Sequence, residues 1–119
     1  MDKKIKLTFE LSDLESFRDC NELDLLYKII DIANKSKERT EELVKGNKSA
    51  GVDIRKAMQS IKMLSEVIRD NTQVRRGIKN KKEKLEEYIV KEKNRIRREE
   101  EKIIKLQEKR MAQIRGNGR

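Results

Sequence analysis

Lys48, Arg55, Lys62, Arg69 and Arg76 recur every seven residues. Seven residues is close to two turns of an α-helix, so such a row drifts by only about 20° per heptad. Five cations on one face, over four heptads, would span about 42 Å. The chemistry open to such a row is ionic. Each Lys or Arg that neutralises a phosphate releases condensed counterions, and that release drives binding to a polyanion. The row lies away from Ala57, Ile61, Leu64 and Ile68, whose spacings of four and three mark a buried stripe. One face can therefore pack while another meets a ligand. The sequence also admits a plainer reading, in which these residues form a solvated basic face and Glu66 pairs with Lys62 or Arg69.

The turn Lys45-Gly46-Asn47-Lys48-Ser49 adds a second device. A helix starting there would present free N–H groups and a positive dipole end to an anion. Gly46 allows close approach, Lys45 and Lys48 flank it, and Ser49 can donate a hydroxyl. An ordinary interhelical turn, with Asn47 or Ser49 as the cap, explains the same residues.

Gly46-Asn47-Lys48-Ser49-Ala50-Gly51, followed by Ile54-Arg55-Lys56, then Ile61, Leu64 and Ile68-Arg69, resembles the linker-histone-like DNA-condensing proteins of chlamydiae, other bacteria and giant DNA viruses. The resemblance covers residues 45–73, a quarter of the chain. It implies that Lys48, Arg55, Lys56 and Arg69 contact phosphates, and that the protein works in a nucleoid or in the virion core of a DNA virus, otherwise in bacterial cytoplasm. There are departures. Asp53 and Asp70 stand where that family tends to be neutral or basic. A helix rich in Glu and Lys replaces its disordered Lys/Ala-rich tail.

Other chemistries find little support. With no His and one Cys, Cys20, the chain lacks the residues for the usual zinc sites, for a Ser–His–Asp triad or for a Cys–His pair. No glycine-rich phosphate loop is present. A single Cys forms no intrachain disulfide, which fits a reducing compartment. No apolar run is long enough for a membrane span. The aromatics Phe9, Phe17, Tyr27 and Tyr88 are not interleaved with the basic row, so stacking on single-stranded bases is poorly supported.

The elements that must position the row follow from composition and periodicity. The chain is 34% hydrophobic and 45% charged, too polar for a large spherical core but sufficient for narrow seams between helices. Residues 1–44 carry net −3, residues 45–76 net +5 and residues 77–119 net +7. These are an acidic head, a basic helical region and a mixed-charge basic helix with a frayed tail. Ile5, Leu7, Phe9 and Leu11 alternate with polar residues. That pattern suits a short strand between Lys3 and Leu11, or an end whose apolar residues pack on helices. Ser12 and Glu15 fit a capping box for a short helix. Asn21 offers a second cap, for a helix over about 22–44 with Leu23, Leu26, Ile29, Ile30 and Ala33 as its packing face. Gly46 ends it.

From about 49 onward one heptad frame runs through Ile61, Leu64, Ile68, Asn71, Arg75, Ile78, Lys82, Leu85, Ile89, Glu92, Ile96, Glu99, Ile103 and Leu106. Asn71, Arg75 and Gly77 mark a kink or a break in it. Helices over about 49–72 and 78–113 follow.

The expected fold is all-α: an antiparallel helical hairpin continued by a long coiled-coil-like helix. The expected function is sequence-nonspecific binding and condensation of double-stranded DNA by a non-enzymatic homodimer joined along its apolar seam. Lys45, Lys48, Ser49, Arg55, Lys56, Lys62, Arg69, Arg75 and Arg76 would be the contacts. No cofactor, metal, small-molecule substrate or membrane is expected. The alternative is a coiled-coil scaffold or adaptor that binds a protein.

Overall fold

The computed structural model describes residues 7–117, with the side chain of Asn117 left aside. It is all-α. Helix α1 spans Leu11–Ser16 and runs into a single 3-10 turn, Phe17–Asp19; α2 spans Glu22–Val44, α3 Ala50–Arg75 and α4 Lys84–Asn117. There is no strand among the described residues. Lys3 to Lys6 of the expected strand lie outside them. In Leu7 to Glu10 the alternation records burial rather than strand pairing. Leu7 is buried, Phe9 is half-buried, and Thr8 and Glu10 face out. This segment lies on the helices: the Ser60 hydroxyl donates to the Leu7 carbonyl, and the Phe9 ring meets Phe17 edge to face at 4.9 Å.

Helix starts and stops follow local chemistry. α1 begins two residues earlier than the Ser12 box implies, because the Glu10 N–H donates to the Asp13 carboxylate at 2.9 Å. At α2 the expected cap is in place: Asn21 accepts from the Asp24 N–H at 2.8 Å and donates its own N–H to the Asp24 carboxylate.

Both α2 and α3 end in the same way. Gly46 at φ +107° lets its N–H reach the Leu43 carbonyl while the Asn47 N–H reaches that of Glu42. Gly77 at φ +77° repeats the pattern, with its own N–H on Val74 and that of Ile78 on Gln73. These are Schellman closures, and they require a left-handed residue. The discontinuity at 71–77 is therefore a true break. α3 runs three residues beyond the expected end, and α4 starts only at Lys84. Gly77→Ala should cost about 1–2 kcal/mol through left-handed strain alone, since nothing lies within 4 Å of the added methyl. Urea unfolding should show a lower midpoint with an unchanged slope.

α2 and α3 form the antiparallel hairpin. Two ion pairs fix its sense: Arg39 with Asp53 at 2.8 Å near the turn, and Arg75 with Glu22 at 2.5 and 3.2 Å at the open end. The core gathers Leu7, Leu14, Phe17, Leu25, Ile32, Ala57, Leu64, Val67, Leu85 and Ile89.

The packing face of α2 differs from the expected one. Leu25, Ile32 and Ser36 are buried with Ile29 beside them, whereas Leu23, Leu26 and Ile30 are exposed. α2 carries two apolar stripes, and only one can meet α3. Glu22 and Arg39 flank the Leu25–Ile32 stripe, so their ion pairs close only when that stripe faces inward.

The single heptad frame does not survive either. Asn71 is buried, Arg75 is drawn to Glu22, and Ile78 and Lys82 lie exposed in the loop after α3. Leu85 and Ile89 are consumed by the chain's own core. From Arg97 to Gly116 every residue of α4 is exposed, so about 30 Å of helix stands clear of the body.

Candidate nucleic-acid interface

Arg55, Lys62 and Arg69 lie within α3 on its exposed side, opposite the buried Ala57, Leu64 and Val67. They cover about 21 Å along the helix. Lys48 lies in the turn before α3, and Arg76 is its C-terminal cap. The five cations are thus a helical triplet with one cation at each end, rather than one uninterrupted row.

What leaves the triplet free is the fate of the nearby acids. Residues 45–76 hold three carboxylates, Asp53, Glu66 and Asp70. Each is drawn to another element. Asp53 pairs with Arg39 of α2. Glu66 turns toward α4, where it accepts from the Tyr88 hydroxyl and has the Lys84 ammonium at 3.9 Å. That hydroxyl bond, helped by the neighbouring lysines against the cost of burial, holds the Glu66 carboxyl below its usual range. Burial and the same bond push Tyr88 up to about 12. Asp70 is almost fully buried and serves α4: its carboxylate accepts the N–H groups of Glu83 and Lys84, at 2.7 and 3.0 Å, and the Lys79 ammonium. Glu66 makes no salt bridge with Lys62 or Arg69, although Lys62 is among the lysines whose charge lowers its carboxyl. Asp53 and Asp70, two of the departures from the resembled pattern, are among the residues that tie α3 to α2 and to α4.

Lys45, Lys48, Arg55, Lys56, Lys62, Arg69 and Arg76 are all exposed and make no ion pair among the described residues. Arg75 stands apart from them. Its guanidinium is held in two hydrogen bonds by Glu22, which raises its pKa and makes it a staple of the hairpin. The turn device is also weaker than its residues suggest. The N–H groups of Ala50, Gly51 and Val52 donate to the carbonyls of Asn47, Lys48 and Ser49, and the Ser49 hydroxyl donates to Asn47. The first turn thus offers an anion few free donors.

Two further cations lie outside the expected contacts. Lys81 and Lys82 are exposed in the loop that begins at Arg76, and neither makes an ion pair among the described residues. The run Lys79-Asn80-Lys81-Lys82 was the available signal; it loses one member, Lys79, to Asp70. By contrast, Arg95 of α4 is clamped between Glu92 and Glu99, and Arg97 faces Glu101 at 3.9 Å.

No helix among the described residues is long and apolar enough to cross a membrane. The chain matches no family model, no curated protein and no solved structure.

Proposed function

We propose that the chain binds double-stranded DNA without regard to sequence and condenses it, acting through phosphate contacts and not as an enzyme. The observation that carries this reading is the set of exposed cations Lys45, Lys48, Arg55, Lys56, Lys62, Arg69 and Arg76. None of them makes a salt bridge with the neighbouring acids Asp53, Glu66 and Asp70, whose closest partners lie on other elements. An ion-paired surface would lose much of its counterion-release gain, because its cations are already neutralised. This one keeps it. Condensation needs more than one basic surface per particle, which a homodimer supplies by presenting two. Such a protein belongs where DNA is packed, in a nucleoid or in the virion core of a DNA virus, otherwise in bacterial cytoplasm.

Gel shifts on unrelated duplexes at several salt concentrations test the proposal. Binding should weaken steeply as salt rises. Competition between AT-rich, GC-rich and mixed duplexes should separate them by far less than about a hundredfold, because phosphate contacts carry no sequence information. Shifts that ignore salt, or one strongly preferred duplex, would overturn the reading.

The second reading, a scaffold or adaptor for a protein, draws on the uncovered apolar residues of α2 and of distal α4. A packed apolar contact should be far less sensitive to salt than the DNA complex.

A further inference from the structure

Two apolar strips on this chain have no partner within it. On the outer side of α2, Leu23, Tyr27 and Ile30 are 55%, 61% and 46% exposed. On the free half of α4, Ile103 and Leu106 are 57% and 56% exposed, and Ile96, half-buried, begins the same strip. Their edges carry opposite charge. Asp24, Asp31 and Glu38 follow the α2 strip at intervals of seven residues; Arg95, Lys102 and Lys109 follow the α4 strip at the same interval. The outer face of α2 points away from the core on which α4 is anchored by Leu85 and Ile89. A continuous helix leaving that core cannot turn back onto it.

We propose that the outer face of α2 is the seat for the distal half of α4 from a second copy of the chain. The register follows from the spacing. When Ile103 lies opposite Tyr27 and Leu106 opposite Ile30, with the two helices parallel, the flanking positions bring Lys109 to Glu38 and Lys102 to Asp31. Asp31 would exchange its intrahelical partner Lys35 for Lys102. Arg95, at the Asp24 end, stays held by Glu92 and Glu99 and adds no pair. In a parallel pair, residues on opposite flanks of the two seams meet, and their charges set orientation and partner choice. The acids lie on one flank of α2 and the bases on the other flank of α4, as this arrangement requires. Pairing α4 with α4 antiparallel would set the basic row against itself. Pairing it parallel would stack Glu99 on Glu99 within the seam. The unlike pairing avoids both. The inference rests on the self-association proposed above but is independent of DNA.

Sedimentation of the full chain at micromolar concentration, without DNA, tests it. One double variant, Tyr27→Glu with Ile30→Glu, breaks the α2 seat. The other, Ile103→Glu with Leu106→Glu, breaks the α4 strip. All four positions are exposed, so circular dichroism should be unchanged. The wild type should associate, and each variant alone should sediment as a monomer. An equimolar mixture of the two should form a one-to-one complex, because each retains the half that the other lacks. A monomeric wild type would sink self-association itself. A wild type that associates while only the α4 variant is affected, with no complex in the mixture, would place the contact between two α4 helices and overturn this docking alone. So would association of an unrelated protein, and not of a second copy, with the α2 face.

Discussion

Asp70→Ala should destabilise the protein by about 2–3 kcal/mol at neutral pH, a large share of the stability of a domain this size. The reasoning starts from what one carboxylate holds. It satisfies two backbone N–H groups at the start of α4 and neutralises the Lys79 ammonium. Its removal leaves those donors without a partner in a largely buried site, and each unsatisfied donor costs about 1–3 kcal/mol. Lys79 is a third exposed, so water recovers part of the loss. The effect should depend on pH. Burial is the largest influence on Asp70 and opposes its charge, yet the hydrogen bonds from Lys79, Lys84 and Glu83 together outweigh it and hold the carboxyl below its usual value. A depressed folded value means that the stabilisation is complete above the unfolded pKa of about 3.9 and disappears as pH falls through the folded value. Urea unfolding of wild type and variant at pH 7 and at pH 3 checks both parts. The difference should be full at pH 7 and smaller at pH 3, which lies below the unfolded pKa. An equal difference at both would assign the effect to shape rather than charge.

The second large effect falls on binding. Replacing Arg55, Lys62 and Arg69 together by Gln should reduce the magnitude of the log–log salt slope for duplex DNA by about 2.7, at about 0.9 per lost phosphate contact. Near 0.1 M salt that corresponds to a loss of affinity on the order of a few hundredfold, alike on every sequence. The fold should be spared. All three side chains are exposed and unpaired, and Gln is a good helix former, so circular dichroism should barely change. The matched control is Arg75→Gln. It should reduce stability through the lost Glu22 pair while leaving the salt slope nearly intact. A triple variant with an unchanged slope would remove α3 from the interface. The contacts would then lie on α4 among Arg98, Lys105 and Arg110, since Arg95 and Arg97 are engaged by their own helix.

What could be read from the sequence were features that act over a few residues. Asn21 and Asp24 sit three apart, and Gly46 needs only its immediate neighbours, so α2 was bounded correctly from Glu22 to Val44. Gly77 carried the same signal as Gly46. The heptad frame running across it obscured the break, because three-and-four spacing continues through Ile78 and Lys82 whether or not those residues are helical. The face of α2 was not legible, because its two apolar stripes are equivalent until Glu22 and Arg39 find partners in α3. The candidate interface divides in the same way. The cations themselves were visible from their spacing. Their freedom was not, because it depends on contacts between helices: Asp53 reaches back to Arg39, Glu66 reaches forward to Tyr88, and Asp70 reaches the start of α4. The pairing of Arg75, one of the expected contacts, with Glu22 was illegible for the same reason, since that partner lies 53 residues earlier.

The shortness of the two glycine turns also bears on the order in which the chain acquires its shape. Five residues, 45–49, join α2 to α3, and eight, 76–83, join α3 to α4. The entropy of closing a loop grows only slowly with its length and is small for both. Neighbouring helices can therefore meet as soon as they form, and contacts between sequence neighbours favour rapid folding. The contacts that must wait are those of the N-terminal segment, which reach from Leu7 to Ser60 and from Arg18 to Glu86. On this argument the segment is expected to close last, over α2 and α3 already paired.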